Sequence, residues 1–122
     1  MKYTLTTTDT GRRAAECTID GLGDITIFKK RVTRHEANAF DNRIQNLTGK
    51  INELVKKLVK AKGPARGKLS DEIFDVNAEF ICARVDGITP EQLASLDVGD
   101  VAEISTLANK LYDEDFEAKK NG

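Results

Sequence analysis

The chain reads as an α+β protein of 122 residues, with a small N-terminal antiparallel sheet of about three strands, one long helix and three shorter C-terminal helices. Three observations predict this. Apolar and polar residues alternate through the first thirty positions, between glycine-containing breaks. An a/d heptad runs without interruption through the middle of the chain. Three helix-start signatures crowd the C-terminal part.

In the first segment, residues 2–8 are rich in β-branched and aromatic types, with Tyr3 and Leu5 on one face. Asp9-Thr10-Gly11 is a turn signal. Residues 13–19 read as a second strand carrying Ala15, Cys17 and Ile19, and residues 24–30 as a third carrying Ile25 and Ile27. Such a sheet needs a helix over its apolar face.

Thr33 and Glu36 have the spacing of a capping box, so the long helix is expected to open there. Its apolar residues fall at Ala37, Phe40, Ile44, Leu47, Ile51, Leu54 and Leu58, alternating steps of three and four. Gly63-Pro64 should end it. About thirty residues at about 1.5 Å each give a rod near 45 Å long, more than one domain of this size can cover. Part of the seam should therefore meet another chain. Lys62 to Lys68 reads as a basic, flexible link. Ser70 then caps a helix whose apolar face is Ile73, Val76, Phe80 and Ile81, ending at Gly87. Thr89-Pro90-Glu91-Gln92 is a complete helix start, stapled by Ile88 and Leu93. Asp97 caps the last helix, whose stripe is Val101, Ile104, Ala108 and Leu111. The expected layout is one domain over 1–122, with a β region over 1–31, the long helix over 32–62, a linker over 63–69 and a helical region over 70–118.

Composition points away from several classes of function. No stretch approaches the roughly 18 apolar residues of a membrane span, and the N-terminus has no signal-peptide core. Cys17 and Cys82 cannot make a disulfide framework, which fits a reducing cytosol. His35 is the sole histidine and reads as solvated, and the cysteines lack C-x-x-C spacing, so no zinc site is expected. No phosphate-cradling loop occurs, and Gly21-Leu22-Gly23 is a turn. No catalytic, cofactor-binding or metal-binding residue is assigned. Function has to lie in surfaces.

The net charge of −1 hides a division. Residues 1–68 carry fifteen Lys or Arg against seven Asp or Glu, and residues 69–122 carry four against thirteen. Such halves can pair within one chain or stack head to tail between copies. The basic run Lys29-Lys30-Arg31 and the lysines from Lys50 to Lys68 could contact phosphates. The scarcity of aromatics and the acidic second half argue against nucleic acid.

The segment from Gly87 to Val101, Gly-Ile-Thr-Pro-Glu-Gln-Leu-Ala-Ser-Leu-Asp-Val-Gly-Asp-Val, continuing to Leu111, resembles the C-terminal pattern of tail assembly chaperones of long-tailed bacteriophages. In that pattern a short T-P-E-Q-L helix precedes L-D-x-x-D and an amphipathic helix. The specific match covers about 25 residues, and the small β region, helical body and length are also similar. The resemblance brings no catalytic residue. It implies a factor of the infected host bacterial cytoplasm, absent from the mature virion. Such a factor binds the tape measure protein, keeps it soluble and helps recruit tail tube protein. It also implies a longer form made by ribosomal frameshifting, for which Lys119-Lys120 could mark the slip. The partner-binding face expected on this reading is Phe40, Ile44, Leu47, Ile51, Leu54 and Leu58, with self-association through the unlike-charged halves. Two alternatives stay open: a structural coiled-coil homo-oligomer without a client, and a nucleic-acid-binding accessory factor.

Overall fold

β-Branched residues and tight turns fold the first thirty residues into three antiparallel strands, β1 (Lys2–Thr7), β2 (Arg13–Ile19) and β3 (Gly23–Lys29). The computed structural model describes residues 1–118, and the expected α+β class with four helices is present. The fourth strand, β4 (Val85–Asp86), was not expected. It is two residues long, too short to show any alternation, and it pairs Asp86 with Phe28 and Val85 with Lys29. The sheet order is β1-β2-β3-β4.

The chain divides into two compact units, where the sequence suggested one domain. One comprises Met1–Lys30 and the chain from Arg84 onward; the other is Arg31–Ala83. In the first unit the sheet's inner face meets α4 (Val98–Leu111), with α3 (Pro90–Ala94) preceding it. Ala15, Cys17, Ile19 and Ile27 are buried together with Leu93, Val101, Ile104, Leu107, Ala108 and Leu111. Each fully buried leucine or isoleucine contributes about 1.5–3 kcal/mol of transfer free energy. The sheet thus packs on a helix of its own chain, the arrangement a half-apolar sheet of this size requires. Both C-terminal starts form as their sequences dictate. Thr89 accepts from Gln92 N–H at 3.2 Å while the Gln92 side chain accepts from Thr89 N–H at 3.0 Å, and Asp97 accepts from Gly99 N–H at 3.0 Å.

β4 is held by Gly87, whose φ of +104° suits only glycine, and a Cβ there would lie 2.2 Å from the Thr26 carbonyl oxygen. Asp86 accepts hydrogen bonds from Arg12 and, at 3.0 Å, from Lys30. The Tyr112 hydroxyl donates to the Arg84 carbonyl at 2.6 Å, closing the C-terminal end of α4 onto the strand's entrance.

The second unit contains two helices, α1 (Ala37–Lys60) and α2 (Pro64–Arg84), of which α2 extends by one residue into the first. Two expectations need correction. The capping box at Thr33 does not form: residues 34–36 make a turn ahead of the helix, and the Thr33 hydroxyl donates to the Glu36 carboxylate at 2.8 Å. The Glu36 backbone N–H bonds instead to the Thr33 carbonyl at 3.0 Å. The linker over 63–69 is also overturned, because α2 begins at Pro64 and Ser70 lies within it. Proline, read as a stop for α1, is equally a favoured first residue of the next helix. Gly63, at φ +65°, makes the reversal between them. At 24 and 21 residues, α1 and α2 are two long helices, so the pattern of one long and three shorter helices becomes two long and two short.

Candidate functional site

The hairpin of α1 and α2 is built from two matching seams. On α1 the heptad positions are Phe40, Ile44, Leu47, Ile51, Leu54 and Leu58. On α2 the same spacing recurs at Leu69, Ile73, Val76, Phe80 and Ala83. Leu47, Leu54, Val76 and Ala83 form a buried cluster, and Ile44, Ile51, Leu69, Ile73 and Phe80 pack against it. This corrects the view of the α1 seam as an open stripe. Leu47 and Leu54 are each 7% exposed and face their own chain, so no partner reaches them while the hairpin is closed. Phe40, Ile44, Ile51 and Leu58 remain half-buried. The sequence signal for the cover was present in α2 but obscured, since that helix is apolar on two opposite sides. Phe74, Ala78 and Ile81 repeat at helical spacing away from the hairpin seam, and Ala78 and Ile81 are buried.

The two flanks of the seam differ. At about 100° per residue, Arg43, Lys50 and Lys57 project along one side of α1. Arg43 pairs there with Glu79 at 3.6 Å, and Lys50 lines a shallow groove with Glu72, Asp75, Val76 and Glu79. Opposite charges thus close this flank in the manner of coiled-coil edge positions. The other flank carries Thr48, Val55 and Val59 beside Ile44 and Ile51. Val55 is 42% and Val59 77% exposed. We call this the open edge. It ends at the hairpin turn among Lys56, Lys60, Lys62 and Lys68, none of which has a carboxylate within 4.0 Å among the described residues.

The basic run at the end of β3 has a different fate. Lys29 lies 4.8 Å above the Tyr112 ring, which also carries the Arg84 guanidinium at 5.1 Å, and Lys30 and Arg12 hold Asp86. Arg12 stacks on Phe28 and Arg13 on Phe116, at 4.9 and 4.8 Å. These cations have internal partners, and Tyr112 and Phe116 reach them from the far end of the chain, beyond any local sequence signal. Burial pushes the Asp86 carboxyl upward, but hydrogen bonds from Lys30 and Arg12 outweigh it and hold the group below the ordinary carboxylate range.

Of the remaining chemistry-bearing residues, Cys17 is buried and its thiol is pushed up to about 11 by desolvation, so it stays protonated at neutral pH. His35 is exposed. No group of three His, Cys, Asp or Glu side chains is placed to hold a metal among the described residues. No helix among them is long and apolar enough to cross a membrane. Lys119 and Lys120 lie outside the described residues. Compared with protein-family models, curated proteins and solved structures, the chain matches none.

Proposed function

We propose that the protein is a tail assembly chaperone of a long-tailed bacteriophage. In this reading it binds the tape measure protein, keeps it soluble and helps recruit tail tube subunits, aided by a frameshifted longer form, in the host bacterial cytoplasm, without entering the mature virion. The observation that carries the proposal is the hairpin with one charged, closed flank and one apolar, open edge. A tape measure helix exposes its own apolar stripe before assembly and aggregates if that stripe stays bare. Laid beside Ile44, Thr48, Ile51 and Val55, it forms a third helix of the seam, anchored at positions three and four apart. The sheet unit acts as a scaffold, and the Gly87–Leu111 segment that carries the resemblance belongs to it.

Ile44 and Ile51 pack on the hairpin core, so charging them would damage folding as well as binding. Thr48 and Val55 are exposed and give the cleaner variant. Co-expression of the chain with the large coiled-coil protein of the same gene cluster should keep that protein in the soluble fraction. Thr48→Glu with Val55→Glu should return it to the pellet while the variant itself stays folded. A coiled-coil protein that is insoluble with either chain, or soluble with both, contradicts the assignment.

A further inference from the structure

β1 is the long open edge of the sheet. The strand order puts β1 and β4 outermost; β4 is two residues long, while β1 runs six residues without a proline or a break in register. The direction of its backbone groups follows from the turn that leads out of it. Thr8 N–H bonds to the Arg12 carbonyl at 2.8 Å, so in this antiparallel ladder Thr8, Thr6, Thr4 and Lys2 point their backbone groups at β2. Tyr3, Leu5 and Thr7 therefore turn theirs outward, where no backbone partner meets them among the described residues. Such a row of groups is a template for another strand. Tyr3 and Leu5 stand on the face that α4 covers, opposite Cys17 and Ala15, yet stay half-buried because α4 packs under β2 and β3. Thr4 and Thr6 stand on the outer face, and Lys2 is the one charged side chain in residues 1–8.

We infer that the β1 edge is completed by β1 of a second copy, running antiparallel about a two-fold axis at Leu5. In this register Tyr3 lies opposite Thr7 of the second copy and Leu5 opposite Leu5, and each pair exchanges both its N–H and its C=O bonds. Every outward group of the strand is then satisfied. Thr4 meets Thr6 across the outer face, and Leu5 meets its copy on the inner face, adding apolar cover where α4 leaves off. Lys2 falls beside Thr8, whereas a parallel arrangement sets Lys2 against Lys2, so charge selects the antiparallel one. The contact is isologous and closes at two copies. It uses neither the hairpin nor the charge division of the chain, and it stands apart from the chaperone reading.

Thr4→Cys and Thr6→Cys, each made in a Cys82→Ser background, test the register. Antiparallel neighbours that share no hydrogen bond hold their Cα atoms about 4.5 Å apart, within reach of a disulfide. Under mild oxidation an equimolar mixture of the two variants should crosslink at least tenfold faster than either alone. Thr7 is exposed and its N–H faces outward, so Thr7→Pro deletes a donor of the new ladder while the β1–β2 bonds and the native circular dichroism remain. Sedimentation velocity is run at 20–200 μM in 1 M salt, where a screening length of about 3 Å suppresses contacts between exposed charges. The wild-type chain should form dimers and nothing larger, and Thr7→Pro should weaken dimerisation at least tenfold. A wild-type chain monomeric in 1 M salt, a Thr7→Pro chain that dimerises like the wild type, or a mixture that crosslinks no faster than its components overturns the inference.

Discussion

Gly87 combines two constraints that usually occur apart. Its φ of +104° is a region side chains avoid, and the Thr26 carbonyl oxygen occupies the place of its Cβ. Gly87→Ala must therefore strain the turn and push β4 from β3, at a cost of about 3 kcal/mol or more. Urea unfolding followed by circular dichroism checks this, and an unchanged midpoint contradicts it. Sequence reading places Gly87 at the end of a helix, but α2 stops at Arg84 and the glycine follows β4 instead, and its close approach depends on a strand sixty residues away. Asp86 is a similar case, since its partners Arg12 and Lys30 come from the other end of the sheet unit. Its carboxyl titrates lower in the folded chain than in the unfolded one, so its contribution is fully present above pH 4 or so. That contribution is lost as pH falls through the depressed folded value. The wild-type chain should thus lose stability below about pH 4 by more than Asp86→Asn does, and equal losses in the two chains exclude the role.

At the scale of elements, local rules governed where they acted alone. The α3 and α4 caps formed at Thr89 and Asp97 because each signature sits directly before its apolar run. The α1 heptad was equally plain, and its residues do line a helix seam. What the sequence left open was which helix covers it. The Leu69-to-Ala83 heptad of α2 shares its helix with a second apolar row, and two opposite rows blur the single stripe by which a partner is recognised. Pro64 added to the difficulty, since a proline reads equally as a stop for the helix before it and as the first residue of the next, and here it begins α2. The pairing predicts a specific loss: Leu47→Ala opens a cavity in the α1–α2 cluster and should cost about 3 kcal/mol. Helical signal should fall at lower urea than in the wild type, whereas a Leu47 facing only an absent partner would make the substitution nearly silent.

For the whole molecule, the charge division at residue 68 was visible, but its boundary is not a structural one. The hairpin unit, 31–83, holds ten basic and seven acidic residues, because the acidic middle of α2 lies in it beside the basic flank of α1. Much of the polarity is thus balanced inside the hairpin, as Arg43 and Glu79 show. The excess survives at the hairpin tip and along 85–109, each with exposed valine. On the proposed function, a client helix lies along the open edge. Hydrogen exchange on the complex co-purified with the tape measure protein measures this directly. Amide exchange along α1 from Ile44 to Val59 should slow on binding, with β1 to β3 unchanged. Protection confined to the sheet unit, with the α1 amides exchanging as in the free chain, contradicts it.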